Sequence, residues 1–322
     1  MSLRCSVIMP MDRPGEDARR AVASVLAQKG DRLTELLIVA GSEIDLPDDP
    51  RIRRIVVPAR NPAVRRNRAV SEASGDLLAF IDDDAFARED WLETAAAFLE
   101  TNPEVLAVGG PDPSPDGAPI TELVSDTLLS TRWIGSGVAA HENRRGVFDV
   151  STPHALALVN LVVRHEAFVG AGGFDEGIGY IGEDTALIET LLERGRVVYH
   201  DGIVVFHRRR SFPSAYVRQR WRYRLKTGHL LVHGGSRYRT GKVLGFLGVG
   251  FALLSCLAVF PSSVPWILAA YCVLTIGLAA PRTHIPPIAW LVIPVAFAIH
   301  HATYFLGILT GVVKGLFSGS DR

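Results

Sequence analysis

The chain has 322 residues, 48% of them hydrophobic, and its 34 basic and 34 acidic side chains cancel to a formal charge of zero. That balance excludes a generally basic nucleic-acid binder and an acidic disordered tail. The charges are unevenly spread, however: all but four of them (Arg282, Lys314, Asp321 and Arg322) precede residue 243, so the two ends of the chain are written for different solvents.

The front reads as alternating strands and helices. Cys5 to Pro10 is a short apolar strand. Pro14 opens a helix through Gln28, with Ala18, Ala21, Val22, Val25 and Leu26 at helical spacing and Gly30 beyond its end. Strands are expected at Leu36–Ala40, Ile52–Val57, Leu77–Ile81 and Val105–Val108, a helix over Trp91–Leu99, and Asn67–Ser74 as part of a short helix stopped by Gly75. Residues 109 to 150 carry little pattern. Gly172-Gly173-Phe174-Asp175 is a turn, Glu183 to Arg194 a helix stopped by Gly195, and Val197–Tyr199 and Ile203–Phe206 are short strands. Helices between continuously apolar strands imply an α/β fold with a mostly parallel sheet. In such sheets ligands bind at the carboxyl ends of the strands. Pro10, Gly41 and Asp82 to Asp84 all fall at that edge.

The back half holds three apolar runs, 243–260, 264–280 and 288–313, separated by Pro261 and Pro265 and then by Pro281, Pro286 and Pro287. The first would be about 27 Å long as a helix at ~1.5 Å per residue, close to a bilayer core. Three spans are expected over 243–317, with a two-span or re-entrant arrangement as the alternative. Before them, residues 211–242 are rich in Arg and Lys, with Tyr216, Trp221 and Tyr223 interleaved. Such a segment suits the headgroup layer and places this end on the cytoplasmic side. Three cysteines without framework spacing fit a reducing compartment. Met1 to Pro10 reads as a strand rather than a signal peptide. The expectation is a multi-pass inner-membrane protein whose front domain, residues 1–210, is cytoplasmic.

Three groups carry chemistry. Phe80-Ile81-Asp82-Asp83-Asp84 ends a buried strand with adjacent carboxylates that repel one another and call for a cation or strong hydrogen bonds. Oxygen ligands on a tight turn suit Mg²⁺ or Mn²⁺. Glu183-Asp184 opens a helix, where the dipole favours an ionised carboxylate able to accept a hydroxyl proton. His207 ends another short strand and reaches the same sheet edge. Taken singly, each has a structural explanation: a solvated acidic turn, a helix-dipole partner, a core histidine.

Together with Ser6 to Pro10, Ala21 to Gln28, Arg66-Asn67, Gly75 to Asp84, Gly172 to Asp175 and Glu183-Asp184, they resemble glycosyltransferase family 2, the inverting nucleotide-sugar transferases of GT-A fold, over roughly residues 4–226. Gln219-Arg220-Trp221-Arg222-Tyr223 is close to the Gln-x-x-Arg-Trp element of processive members, with Tyr in the last place. The resemblance implies a nucleotide bound around Pro10, Ser42, Arg66, Asp82 and Asp83. It implies a divalent metal on Asp84, Asp82 and His207, Asp184 as the base with Glu183 beside it, and Arg222 against the diphosphate leaving group. The partners it implies are a nucleotide-diphosphate sugar donor, a lipid-linked or glycan acceptor, the membrane, and no nucleic acid. The function it implies is sugar transfer in cell-surface polysaccharide synthesis. A polyprenyl-phosphate glycosyltransferase and a non-catalytic nucleotide-sugar-binding membrane protein are the alternatives. Two departures bear on the nucleobase: no carboxylate follows Leu37 to Ala40 until Glu43, and Met11-Asp12-Arg13 replaces the usual Thr-x-Asn.

Overall fold

Runs of Val, Ile and Leu form the strands of the front half wherever both faces can be covered. A computed structural model describes the chain apart from residues 1, 13, 136–137, 179–180, 234–236, 281–284 and 318–322. Arg13, one of the family departures noted above, lies outside the described residues. The chain divides into two compact units, Met1–Asp116 with Gly137–Arg208, and Gly117–Ser136 with Arg209–Arg322.

In the first unit, β1 (Cys5–Met11) is buried at every position but Pro10. It pairs in parallel with β2 (Leu33–Ala40) and β4 (Leu77–Phe80), and β2 pairs in parallel with β3 (Ile52–Val56). β6 (Val105–Gly109) and β9 (Arg196–His200) are also parallel. Between β4 and β6 lies β8 (Leu161–Arg164), antiparallel to both, and β7 (Val147–Asp149) runs antiparallel along β9. The order is β3-β2-β1-β4-β8-β6-β9-β7, an α/β fold with a mostly parallel sheet, as the strand pattern predicts. A two-stranded ribbon of β5 (Ala85–Ala87) and β10 (Val205–His207) accompanies it.

The helices of this unit are α1 (Glu16–Leu26), α2 (Pro62–Val70), α3 (Trp91–Thr101), α5 (His165–Gly170) and α6 (Glu183–Arg194). α2 contains the first part of the expected stretch, Asn67–Val70, and begins at Pro62. The reason is chemical: the Asn61 side chain caps it by accepting from the Ala63 amide, and Pro62 fits the first turn, where its missing N–H costs nothing. α1 buries Ala18, Ala21, Val22 and Val25, the face its periodicity predicts.

The second unit comprises α4 (Ile120–Ser130), α7 (Ser214–His233), α8 (Arg237–Val259), α9 (Val264–Ala279) and α10 (Ile293–Phe317). Its exposed residues include Val249, Trp266, Val273, Leu291 and Phe317, the reverse of a water-soluble surface. Among the described residues, Pro261–Ala279 and Ala289–Phe317 are long and apolar enough to cross a membrane, and Val243–Ala252 is a shorter apolar helical stretch. The expected run at 243–260 falls in α8.

α7 and α10 run parallel and touch through glycine. A Cβ on Gly228 would lie 2.1 Å from the Ile308 carbonyl, and one on Gly311 2.2 Å from that of Leu225. The spacing Gly307-x₃-Gly311-x₃-Gly315 lays small residues along one α10 face, the packing mode of helices that meet without a hydrophobic driving force. Tyr216, expected among the interfacial aromatics, is instead buried on this seam with its hydroxyl on His300.

Candidate active site

The site grows from the carboxyl edge of the sheet. The chain must turn where the ladder stops, and polar residues follow the strand ends there. Pro10, next to last in β1, is half-buried, and Ser42, two residues past β2, is exposed. Asp82 to Asp84 follow β4 in a turn closed by the Ala85 amide on the Asp82 carbonyl. β5 begins at once, and its register sets Ala85 opposite His207. That pairing carries the histidine from more than a hundred residues away to the side of Asp84, with His207 Nε2 3.3 Å from Asp84 Oδ1. Asp82, Asp84 and His207 offer donor atoms that all lie within 4.8 Å of one another.

A second carboxylate backs this group. Asp112, just beyond β6, is fully buried. One of its oxygens lies 3.5 Å from His207 Nδ1 and the other 2.8 Å from His141 Nδ1. Facing the histidine from behind, it favours the tautomer with hydrogen on Nδ1 and leaves Nε2 as a lone pair aimed at Asp84. The segment carrying Asp112 is itself pinned. The Asn160 side chain, fully buried before β8, accepts from Trp91 Nε1 at 2.9 Å and donates to the carbonyls of Pro111 (2.9 Å) and Ile203 (2.8 Å). The amides of Val205 and His207 then bond the carbonyls of Pro111 and Pro113.

The Glu-Asp pair joins through Arg66. One nitrogen of this guanidinium lies 2.9 Å from Glu183 Oε1 and another 3.4 Å from Asp82 Oδ1, so the acidic turn and the start of α6 share a cation. Arg66 is placed by its neighbour. Asn67 accepts from the Phe174 amide at 2.9 Å and donates to the Phe174 carbonyl at 2.8 Å, which seats the Phe174 ring under the guanidinium. Gly172 and Gly173 reach this turn with φ of +86° and +73°, a backbone that side chains resist. The Gly-Gly-Phe-Asp element thus holds the site from outside it.

Electrostatics follow from burial. Glu183 is 7% exposed, and desolvation, with the charge of Asp184 beside it, pushes its carboxyl up to about 7 despite the pull of Arg66. Burial, with Asp84 and Asp82 adjacent, likewise lifts Asp83 to about 7. Asp184 is half-buried and accepts from the Thr185 amide at 2.6 Å. Asp12, in the departure Met11-Asp12-Arg13, is exposed and ion-paired to Arg65.

The expected groups at Asp82, Asp84, Glu183, Asp184, His207 and Arg66 are therefore gathered into one chain of contacts. Pro10 and Ser42 lie at the same edge of the sheet. Arg222 is exposed on α7, in the second unit. Sequence reasoning missed Asp112, His141 and Asn160. A signal for Asp112 was present: Gly109-Gly110-Pro111-Asp112 follows an apolar strand, just as Asp82 to Asp84 do.

A family description, Glycosyl transferase family 2, matches residues 6–158, a span ending before Glu183, Asp184 and His207. The glucosyl-dolichyl phosphate glucuronosyltransferase of Haloferax volcanii is 35% identical over 103 residues, covering 30% of this chain and 33% of that protein. The pre-mycofactocin glycosyltransferase of Mycobacterium tuberculosis is 26% identical over 216 residues, covering 62% and 43%. The chain thus spans a third to under half of these relatives' lengths. The crystal structure of S. aureus TarS 1-349 aligns with a TM-score of 0.48 at 13% identity, over 96% of this chain and 91% of that one.

Proposed function

We propose that the chain, whose residues 6–158 match the description of glycosyltransferase family 2, is a glycosyltransferase that moves a sugar, with inversion, from a nucleotide-diphosphate donor to a membrane-associated glycan or glycolipid. The observation that carries this reading is the gathering of Asp82, Asp84 and His207 within 4.8 Å, tied through Arg66 to Glu183 and Asp184. Two carboxylates and an imidazole, with Asp112 behind the imidazole, fit a Mg²⁺ or Mn²⁺ ion. Held there by Asp82, Asp84 and His207, such an ion would supply positive charge against the leaving diphosphate.

The remaining roles fall to the chain. Asp184, steered by the Thr185 amide, accepts the proton of the incoming hydroxyl. Glu183 turns inward to Arg66, so the two carboxylates divide between positioning and proton transfer. One base suffices because a single displacement at the anomeric carbon forms no glycosyl-enzyme. Arg66 and Asp83 border the donor subsite, with Pro10 and Ser42 toward the nucleoside. The apolar helices support membrane association; an inner-membrane, multi-pass arrangement and a part in cell-surface polysaccharide synthesis complete the proposal, and the basic run before the spans favours the cytoplasmic side for the catalytic unit.

The test is a panel of nucleotide-sugars offered to the detergent-solubilised protein with Mn²⁺ and membrane acceptors, reading nucleotide release against an Asp84→Ala blank. Asp184→Asn should lower turnover about 10²–10⁴-fold while the fold is kept. Full activity of Asp84→Ala would sink the reading. A second reading, transfer to a polyprenyl phosphate, is favoured by one relative whose name includes a dolichyl phosphate. There the acceptor is already ionised, so Asp184→Asn would keep its activity on a lipid phosphate alone.

A further inference from the structure

Sugar transfer makes no use of a cationic cluster inside the second unit. α7 carries Arg218, Arg220, Arg222, Arg224 and Lys226, and no acidic residue occurs between Asp201 and Asp321. A spacing of four puts Tyr216, Arg220 and Arg224 on one helical face, the face that meets α10. There the Tyr216 hydroxyl lies 2.5 Å from His300 Nδ1, and the guanidinium of Arg224 lies 3.6 Å above the centre of the Tyr304 ring. Arg220 is 5.7 Å from the centre of the Tyr216 ring, and the His300 and Tyr304 rings are 4.3 Å apart. Phe246 of α8 closes one side, 6.2 Å from Tyr304.

The hydrogen bonds of this cluster do not balance. Arg220 Nε and Arg224 Nε are buried without an acceptor among the described residues. Where Tyr216 donates to Nδ1, the proton of His300 sits on Nε2, and that atom too is buried without a partner among the described residues. Three N–H groups and two formal positive charges are therefore drawn together with no carboxylate paired to either arginine among the described residues. Asp126, in this unit, is engaged with Arg209. The Tyr304 hydroxyl is buried beside both guanidinium groups, but neither a phenol nor an aromatic face brings a counter-charge. Withdrawing cations from water is costly unless an anion accompanies them. Donors of this number and planar geometry match the oxygens of a phosphate.

We propose that the α7–α10 face binds the phosphate of a membrane lipid, held by Arg220 and Arg224, with the lipid chain against the apolar surface of the neighbouring helices. Arg224 is half-exposed and gives the phosphate its entry, while exposed Val249, one turn along α8 from Phe246, offers the chain an apolar bed. The proposal rests on the reading that the second unit sits in a membrane and is independent of the chemistry at Asp84 and Asp184.

The full-length protein in detergent micelles would be titrated with phosphatidic acid, a polyprenyl phosphate, phosphatidylcholine and inorganic phosphate, reading equilibrium binding and the thermal midpoint without any sugar donor. The expected result is at least about tenfold tighter binding of the two phosphomonoester lipids than of phosphatidylcholine, from charge-assisted hydrogen bonds to phosphate. Arg224→Gln should weaken them roughly tenfold, Arg224→Lys less, and Arg218→Gln, at an exposed position, not at all. Tighter binding of the polyprenyl phosphate assigns the site to an acceptor, and equal binding assigns it to bulk lipid; both support the proposal. Binding of inorganic phosphate as tightly as the lipids, absence of any preference over phosphatidylcholine, or an equal loss in Arg218→Gln would each overturn it. Should Arg224→Gln not fold, the wild-type lipid preference and Arg224→Lys still decide. Because no donor is present, failure here leaves the transferase reading standing, and failure of nucleotide release leaves this one.

Discussion

Arg66→Met would keep the stem of the side chain and remove the fork that joins Asp82 to Glu183. Removing one partner of a buried ion pair costs about 3–5 kcal/mol when the survivor stays charged. Glu183 need not stay charged, because burial has already lifted its carboxyl to about 7. A raised carboxyl favours the fold fully below its unfolded value of about 4.3, and that contribution is lost as pH climbs to the folded value. In the parent the loss is complete just above pH 7. In Arg66→Met the folded value rises further, so the decline continues. The stability gap between the two should therefore widen above neutrality by up to ~1.4 kcal/mol per pH unit, about 2 kcal/mol more at pH ~8.5 than at pH ~7. Near pH 6 only lost packing and hydrogen bonding should remain. Urea unfolding of the full chain in detergent with chelator present, at both ends of this range, reads the gap directly. The same substitution in a Glu183→Gln background should show no pH dependence. A gap of constant size, or one that survives unchanged in that background, would refute the assignment of the raised carboxyl to Glu183.

Other consequences are equally concrete. Asp112→Asn should weaken Mn²⁺ binding about 10–100-fold, because the carboxylate that orients the His207 ring is lost, read by electron paramagnetic resonance without substrate; unchanged affinity would remove Asp112 from behind His207. Asn160→Leu strands three buried partners and should cost roughly 3 kcal/mol or more, lowering the thermal midpoint by about 6–12 °C for a unit of this size. Gly311→Ala should destabilise the α7–α10 pair by about 1–3 kcal/mol through overpacking. Gly245→Ala, where an added Cβ meets nothing within 4 Å, should be neutral or stabilising by up to ~1 kcal/mol. Equal midpoints for the two alanine variants would contradict the close approach.

Much of the catalytic unit could be read from residues alone because a parallel sheet turns a one-dimensional cue into a place. An apolar run followed by a polar residue lands at the carboxyl edge whichever strand it belongs to, and so Asp82 to Asp84 and His207 were found without knowing their partners. Asp112 obeyed the same rule and was passed over because residues 109–150 show no periodicity around it. β8 was invisible for a related reason: four residues between a 3₁₀ turn (Leu158–Asn160) and the short α5 carry no alternation, and only the ladder with β4 and β6 makes them a strand. The Asn61-Pro62 start of α2 was legible chemistry left unread. Arg66 as the link between two acidic groups could not be read at all, since Glu183 lies 117 residues away and only the fold brings them into contact. The glycine spacing of α10 was on the page, but its partner, a helix dense in arginine, gave no hint of lying beside it.

The second unit draws on the chain twice, taking residues 117–136 from the middle of the first as well as everything after 208. Within it, Val124, Leu128 and Leu129 of α4 are packed against Tyr216, Ile293 and Phe297. A shortened protein ending near residue 210, the obvious route to a crystallisable soluble fragment, would therefore keep α4 while discarding what covers it. Such a fragment would precipitate or dimerise through that bared stripe unless Val124, Leu128 and Leu129 were made polar or the excursion were replaced by a short linker.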